Sequence, residues 1–346
     1  MSAEPSGSGA GLPQPWEDAW RESLYGPGGF YLRPEGPAGH FSTAAHTSQG
    51  GLLAAALVRL AHEAGCVRVV DVGAGRGELL TAMADCPEAG ALQLQAVEVG
   101  PRPEGLPRRL SWSRTVPPSE LATLLVGWEL LDVVPCPVLQ ADAQGALRTV
   151  HVGPDGEVLG GDPEGRDLTW CREWWPGPYQ PGQRVEAGRT RDELWVTTLQ
   201  ALTGRWLAIA VDYQHVVGTR PEQGSLTGFR SGRRTEPVPD CEHDLTAHVA
   251  LDAVAAAVRA SLPATTSVLT KQEQALRALG LSTRRPAVQA ARTEPMEYLR
   301  ALSAAGESAA LLDPSGLGGF GWLLTACGLE ATEALRRIVE PADPST

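Results

Sequence analysis

An acidic residue and three alternating glycines stand out in the segment VVDVGAGRGELL, residues 69 to 80. Gly73, Gly75 and Gly77 lack a Cβ, so the backbone can turn tightly there and come close to a ligand. The helix predicted to follow would add free N–H groups at its N-terminus. Asp71 lies two positions before the first glycine and could take the amino group of an amino-acid-like ligand. The segment predicts a nucleotide-like ligand; a tight turn that holds no ligand is the alternative.

The spacing of the glycines distinguishes two classes of ligand. The dinucleotide fingerprint reads Gly-x-Gly-x-x-Gly and places a pyrophosphate at the helix N-terminus. Here Glu78 stands where the third fingerprint glycine belongs, and its carboxylate would meet a pyrophosphate badly. Glu98 ends the next predicted strand, where a carboxylate can accept both hydroxyls of a ribose. Together with Asp71, this combination resembles the first motif of S-adenosylmethionine-dependent methyltransferases; a nicotinamide or flavin cofactor is the alternative.

Two more acidic residues follow a later predicted strand, which lies within SELATLLVGWE at residues 119 to 129. Glu129 ends this strand, and Asp132 comes three residues later on a predicted helical turn. Residues i and i+3 share one face of a helix, so both carboxylates are expected to point into one pocket. Ligands of an open α/β sheet bind at the carboxyl ends of its strands. The alternative is a helix N-terminus whose dipole these two acids oppose.

Strands that alternate with helices through short links predict the scaffold that positions these residues. Strands are expected at VRVVDV, LQLQAVEV and LSWS, within SELATLLVGWE, and at WLAIAVDY. Such alternation indicates an α/β fold with a doubly wound, Rossmann-like sheet. We assign this domain to residues 48–135 and 189–346, with additional Ala/Leu-rich helices over 247–310. The segment LGGFGWLLTACGLE near the end is one last strand or an extended core segment.

The remaining segments surround this domain. Residues 1–15 are expected to be disordered because they are rich in Gly, Ser and Pro. Residues 136–188 indicate an inserted β-hairpin region, and residues 215–243 a loop long enough to suggest a function. Residues 16–47 are expected to form a substrate or lid loop region behind a short helix. Three aromatic residues of that region either cover the cofactor or pack on the sheet edge: Phe30, Tyr31 and Phe41.

Four further stretches resemble the MidA-like methyltransferases, whose mitochondrial members are complex I assembly factors that methylate an arginine of a complex subunit. The resemblance spans about residues 28 to 280 and lies in GGFYLRPEGPAGHFST, WELLDVVP, AVDY and EHDLTAHV, with a weaker match at Gln272. It implies a protein side chain, an arginine, as substrate. Two positions depart from the family pattern: Trp128 replaces an Asn, and Gln214 replaces a Gly. Either departure could mean a changed substrate or lost activity.

The resemblance also implies roles for the acidic residues. Arginine stays charged in proteins, so an enzyme that methylates it should hold the guanidinium with carboxylates, in line with the methyl sulfonium. Glu129 and Asp132 fit that role. Asp244 and His248 are placed near the site, with His248 as a base or a gate. The alternatives are that Asp244 or Thr246 caps the next helix and that His248 is structural.

An arginine cluster and a tryptophan cluster each allow two interpretations. One could steer an acidic partner or lie in a solvated loop: Arg230, Arg233 and Arg234. The other could bind a partner or form a small core beneath a loop: Trp170, Trp174 and Trp175.

The composition limits the class of protein. The net charge is -12, which argues against a general nucleic-acid or anionic-membrane surface. Six scattered cysteines include no C-x-x-C pair, so neither a zinc site nor a disulfide scaffold is expected. We expect a cytoplasmic protein, because there is neither a signal-peptide pattern nor an apolar run of membrane-spanning length.

The leading hypothesis is therefore an S-adenosylmethionine-dependent methyltransferase that acts on a protein. The alternatives are a catalytically inactive member that serves as an assembly factor or chaperone, a small-molecule methyltransferase and, last, a nicotinamide oxidoreductase. The sequence leaves the oligomeric state open.

Overall fold

The computed structural model describes residues 12–33, 50–329 and 336–338. The strands are β1 (Gln14–Pro15), β2 (Arg68–Val72), β3 (Gln93–Val97), β4 (Leu110–Ser113), β5 (Thr123–Trp128), β6 (Val138–Ala141), β7 (Leu147–Gly153), β8 (Gly156–Leu159), β9 (Arg184–Glu186), β10 (Trp206–Asp212), β11 (Gln214–His215), β12 (Thr227–Arg230), β13 (Arg233–Thr235), β14 (Asp244–Thr246), β15 (Val249–Ala250), β16 (Thr265–Lys271) and β17 (Gly321–Cys327). The helices are α1 (Trp16–Tyr25), α2 (Gly50–Glu63), α3 (Glu78–Asp85), α4 (Gly165–Trp174), α5 (Arg189–Gln200), α6 (Leu251–Ser261), α7 (Gln272–Ala278), α8 (Ala290–Thr293) and α9 (Pro295–Leu312).

A seven-stranded sheet in the order β16-β17-β10-β5-β2-β3-β4 forms the centre of the fold. Strands β4, β3, β2, β5 and β10 are parallel to their neighbours in this order, and β17 runs antiparallel to both β10 and β16. Successive residues of one strand serve opposite faces: Val69 packs into a core that includes α2 and α3, and Val70 into a core that includes α5 and α6. Burial on both faces explains why β5 and β10 are continuously apolar. The predicted doubly wound sheet is confirmed.

Two segments near the end of the chain form strands. The first corrects the helical prediction for part of residues 247–310, and the second decides the open prediction for the segment that follows. Residues 265–271, expected to be helical, form the edge strand β16. Their sequence TTSVLTK is rich in β-branched residues, and it pairs along its whole length with β17. The undecided segment LGGFGWLLTACGLE supplies β17, which lies between β10 and β16. Both strands depend on a partner far away in the sequence.

The insertion at 136–188 contains the expected hairpins and one helix that was not expected. β6 and β9 join β7 in an antiparallel sheet, to which β8 is added as an edge strand. Helix α4 covers this sheet and buries Trp170 and, just after it, Trp175 in a small core. The tryptophan cluster is therefore a core feature at these two positions. Gln14 and Pro15, expected to be disordered, instead pair with β7.

Residues 215–243 are not the predicted long loop. β12 pairs with β13 in a hairpin and with β14 on its other side. The arginine cluster lies on this hairpin, where Arg230 forms an exposed ion pair with Glu242 and Arg234 donates to Thr227 Oγ1 at 3.0 Å. These contacts favour the solvated reading of the cluster.

A buried arginine joins the segments that meet at the carboxyl edge of the sheet. Arg191 on α5 is fully buried, and its guanidinium donates to the carbonyls of Asp132 (3.1 Å), Val134 (3.1 Å) and His248 (2.9 Å). The first two carbonyls follow β5, and the third precedes β15. Ala247 N also donates to the Asp132 carbonyl, at 3.0 Å. Arg191 therefore fixes the two segments relative to each other.

We expect Arg191→Met to lower the free energy of unfolding by about 3 kcal/mol, because three buried carbonyls lose their donor. The matched control is Arg300→Met on α9, which removes only an exposed ion pair with Glu297 and should cost less than about 0.5 kcal/mol. Urea unfolding of the two variants measures the difference. Equal losses would show that Arg191 does not join these segments.

Candidate active site

The glycine loop between β2 and α3 has a backbone that other residues adopt only with strain. Gly73 has φ 73° and Gly77 has φ 84°, both in the left-handed region. A Cβ at Gly73 would lie 2.7 Å from Leu130 Cδ1, so even an alanine would displace that side chain. Helix α3 begins directly after Gly77. The loop therefore presents bare backbone at the carboxyl edge of the sheet.

Glu98 follows β3 and braces the glycine loop. Its Oε2 accepts a hydrogen bond from Gly75 N at 3.0 Å, and its Oε1 accepts from Val99 N at 2.6 Å and from Gly100 N at 3.2 Å. These backbone donors fix the direction of the carboxylate. It lines the adjacent cavity, so that an acceptor lies where the sequence predicts a partner for ribose hydroxyls.

A cavity of about 540 Å³ opens beside the glycine loop and Glu98. This volume lies within the range of small-molecule and cofactor sites. Its lining comes from the ends of β2, β3 and β5, the segment after β4, one face of α5 and two tyrosines near the N-terminus. The side chains and glycines that bear on the argument are Gly73, Gly75, Val97, Glu98, Glu129 and Tyr31.

Asp71 lies on β2 beneath the loop and does not line the cavity. Burial raises the pKa of its carboxyl to about 8, and the charges of Glu98 and Glu78 add to that effect. A cationic group of a ligand would favour the ionised form of this buried acid. Its contact with a ligand amino group stays a prediction.

Four carboxyl side chains lie beside the cavity and form the acidic cluster: Glu129, Asp132, Asp212 and Asp244. Asp212 ends β10, and its carboxylate accepts N–H bonds from Leu131 at 3.0 Å and from Asp132 at 3.3 Å. Asp244, on β14, accepts a hydrogen bond from the Tyr31 hydroxyl at 2.9 Å. The cluster therefore joins the ends of two parallel strands to a strand of the smaller sheet.

Burial is the main reason why the four acids have raised pKa values. The pKa of Glu129 is about 8, through burial and then the charges of Asp132 and Asp244. The pKa of Asp244 is about 7, through burial and the charge of Asp132. Burial also raises the pKa of Asp132, to about 6, and that of Asp212 well above its ordinary value. Much of the cluster is therefore protonated near neutral pH when no ligand is bound, and a bound cation would favour the ionised form of these acids.

The segment after β5 forms a turn instead of the predicted helical turn. Glu129 has φ 50°, and Val134 N donates to the Leu131 carbonyl at 3.2 Å. Asp212 accepts hydrogen bonds from two backbone N–H groups of this turn, and no helix is described between β5 and β6. Glu129 consequently lines the cavity, whereas Asp132 is buried behind it. The prediction that both carboxylates point into one pocket is wrong for Asp132.

Trp128, the first departure from the family pattern, contacts Glu129 directly. Its Nε1 donates to Glu129 Oε1 at 3.0 Å, and this hydrogen bond lowers the pKa of Glu129 against the effect of burial. The indole packs edge-on against Trp322 of β17, with ring centroids 5.8 Å apart. A tryptophan at this position therefore still provides a donor to the carboxylate.

Asp244 and His248, predicted to lie near one site, lie at different places in the structure. Asp244 and Thr246 lie in β14, and α6 begins only at Leu251, so the helix-capping alternative is wrong for both. The ring of His248 does not line the cavity; it stacks on Tyr213 with centroids 5.5 Å apart and lines a second cleft. The family motif contains both residues, but Asp244 lies beside the cavity and His248 lines the second cleft.

The residues predicted to form a lid also differ in their positions. Tyr31 lines the cavity and stacks on Tyr25, with centroids 5.6 Å apart. Phe30 is buried in a core with Trp16 and Trp20. The position of Phe41 lies outside the described residues. Tyr31 therefore contacts the site, and Phe30 has the packing role.

A family model of S-adenosyl-L-methionine-dependent methyltransferases matches residues 52–270. The chain belongs to this family. The match confirms the predicted cofactor class and enzyme class, and it agrees with the resemblance to MidA-like methyltransferases. The matched range contains the glycine loop, Glu98 and the whole acidic cluster of the methyltransferase.

Two solved structures from Burkholderia thailandensis are similar to the methyltransferase. An uncharacterized protein is 23% identical with a TM-score of 0.74, over 94% of this chain and 90% of that chain. A member of the same superfamily bound to S-adenosyl-homocysteine is 23% identical with a TM-score of 0.73, over 94% of this chain and 91% of that chain. At this identity the likeness shows the fold. No curated protein matches in sequence.

The cavity of the methyltransferase fits its cofactor. The left-handed glycines would admit a ligand against the backbone, and Glu98 supplies an acceptor for ribose hydroxyls. Apolar side chains such as Val97 and Leu130 would contact the base, and Glu129 offers a carboxylate to a cationic sulfonium. Within the described part of the chain, no cluster of three or more His, Cys, Asp or Glu residues is placed to hold a metal ion. No helix there has the length and apolarity needed to cross a membrane.

Sequence reasoning missed Asp212 as a member of the site. Its segment AVDY was noticed only as a family motif, although the residue ends a fully buried strand just as Glu129 follows one. The same rule, that ligands bind at the carboxyl ends of parallel strands, could have selected it. Arg191 gave no such signal, because the chain is rich in arginine and the carbonyls it binds are remote in sequence.

We expect Gly73→Ala to weaken S-adenosylhomocysteine binding by at least about tenfold, since the methyl group strains the left-handed backbone and displaces Leu130. Gly90→Ala is the matched control, because a Cβ there meets no atom within 4 Å. Isothermal calorimetry measures both dissociation constants. Wild-type affinity in Gly73→Ala would place the cofactor elsewhere.

Proposed function

We propose that the methyltransferase modifies an arginine side chain of a protein. The acidic cluster carries this proposal, because it gathers four carboxyl groups beside the cofactor cavity: three are buried, and Glu129 is half-buried at the cavity wall. Among the hydrogen bonds and ion pairs of the described residues, none joins an arginine or lysine side chain to these four groups. The buried Arg191 donates to backbone carbonyls, and its charge lowers the pKa of Asp132 without a side-chain hydrogen bond to it. A cation from the substrate would supply the missing partner.

The positions of the four acids give them different roles. Glu129 alone lines the cavity, so its carboxylate would hold the guanidinium and orient one nitrogen toward the methyl donor. When bound, S-adenosylmethionine supplies the methyl group. The product nitrogen releases a proton, which ionised Glu129 could accept, and the methylated guanidinium keeps its charge. Asp212 holds the turn that carries Glu129, and Asp244 fixes Tyr31 at the cavity wall.

Incubation with methyl-labelled S-adenosylmethionine and proteins of a cell extract tests the proposal. We expect mass spectrometry to find the label in methylarginine. Glu129→Gln should lower the transfer at least about a hundredfold, since it removes the carboxylate, and should leave S-adenosylhomocysteine affinity within about threefold. Label found only on other residue types, or only in the small-molecule fraction, would contradict the arginine substrate.

The pH profile provides a separate prediction. The transfer rate should rise with pH through about 8, the pKa of Glu129, because only the ionised carboxylate attracts the cation and accepts the proton. Trp128→Phe removes the indole hydrogen bond that lowers this pKa, so its profile should shift to higher pH. Initial rates between about pH 6 and 10 give both curves. Identical profiles would mean that Glu129 is not the group that titrates.

A further inference from the structure

A second cleft of about 470 Å³ lies at the carboxyl end of β10, next to the start of β17. Among the described residues, none lines both this cleft and the cofactor cavity. Its walls come from the segment after β10, from the approach to β15 and from the turn before β17. The lining residues that matter are Tyr213, Gln214, His248 and Phe320. The family match covers Tyr213, Gln214 and His248 and ends before Phe320.

Aromatic rings form one wall of the cleft. Tyr213 packs against Phe320 with centroids 4.2 Å apart and against His248 with centroids 5.5 Å apart and nearly parallel planes. The Tyr213 side chain remains 37% exposed, so part of the ring is accessible to a ligand. Exposed aromatic surface of this kind packs against the aliphatic stem of a long charged side chain such as arginine.

The acidic cluster adjoins this aromatic wall through the chain, although none of its four acids is among the described residues that line the cleft. Tyr213 follows Asp212 in the chain, and Asp212 is fully buried within the cluster. Burial raises the pKa of the Tyr213 hydroxyl well above its ordinary value, and the charges of Glu129, Asp132 and Asp212 add to that effect. A cation in the cleft would therefore favour the ionised form of these acids, whereas an anion would oppose their ionisation.

Gln214, the second departure from the family pattern, adds an acceptor without a partner. Its side-chain amide lies over Gly321, where a Cβ would come within 2.5 Å of Cδ and Oε1. The Oε1 atom is buried and accepts no hydrogen bond from any described residue. Such an oxygen favours a ligand that donates an N–H group.

We propose that this cleft binds the arginine side chain of the protein substrate, with its aliphatic stem on Tyr213 and Phe320 and an N–H group donating to Gln214. The proposal rests on the proposed function, and it adds the surface through which the substrate arginine enters the site. The cofactor would occupy the cavity on one side of Glu129, and the substrate would approach from the other. The guanidinium then meets the acidic cluster at the end of the cleft.

The test uses the peptide acetyl-Gly-Arg-Gly-amide and the full chain saturated with S-adenosylhomocysteine. We expect the peptide to shift the NMR signals of the His248 ring, which are assigned by their loss in His248→Gln. Tyr213→Leu should weaken peptide binding about tenfold, because the ring on which the aliphatic stem of the arginine packs is gone. The matched control Tyr298→Leu on α9 should bind as the wild type does. The citrulline peptide, which is neutral, should bind more weakly than the arginine peptide.

Two further measurements show whether weaker peptide binding comes from the cleft itself or from a misfolded variant. They also separate the test of the cleft from the test of methyl transfer. The S-adenosylhomocysteine dissociation constant of Tyr213→Leu should stay within about twofold of the wild type, which shows an intact fold. Gln214→Ala should weaken peptide binding about threefold. Unchanged peptide binding in Tyr213→Leu, together with labelled methylarginine from the wild type, would overturn the cleft and leave the proposed function standing. Label on another residue type, with no peptide binding, would overturn both.

Discussion

The burial of carboxyl groups at the carboxyl edge of the central sheet is the constraint on which the rest of the structure depends. Parallel strands bring their ends to one edge, and here β3, β5 and β10 end at or just before Glu98, Glu129 and Asp212. Glu98 meets backbone N–H groups, which compensate its charge. The acidic cluster has fewer donors, so burial keeps its pKa values high. The edge is therefore arranged to receive ligands that carry positive charge.

This arrangement has a thermodynamic consequence for the protein without ligands. A carboxyl whose pKa rises from 4.5 to about 8 on folding, as for Glu129, binds a proton more tightly in the folded state. Its stabilising contribution is complete below about pH 4.5 and is lost as the pH rises to about 8. Asp132 and Asp244 act in the same direction, with pKa values of about 6 and about 7. A bound cation would restore this stability at higher pH, because it favours the ionised acids.

Local patterns predicted the parts of the molecule that depend on neighbouring residues. The glycine loop, the position of Glu98 and the apolar strands follow from spacing and burial within a few residues. The edge strand β16 did not, because its partner β17 begins about fifty residues later. The turn at Asp132 also escaped prediction, since Asp212, 80 residues away, decides it by accepting the N–H groups of the turn.

The two departures from the family pattern meet neighbouring residues of one strand. Trp128 packs on Trp322, and Gln214 lies over Gly321, the residue before it. In the sheet, Val211 of β10 pairs with Trp128 on one side and Trp322 on the other, while Asp212 pairs with Gly321. A large aromatic side chain at 128 and a glutamine at 214 thus each require a specific start of β17. Trp128 acts on the carboxylate that faces the cofactor, whereas Gln214 faces the second cleft. The two departures therefore share one structural support, the start of β17.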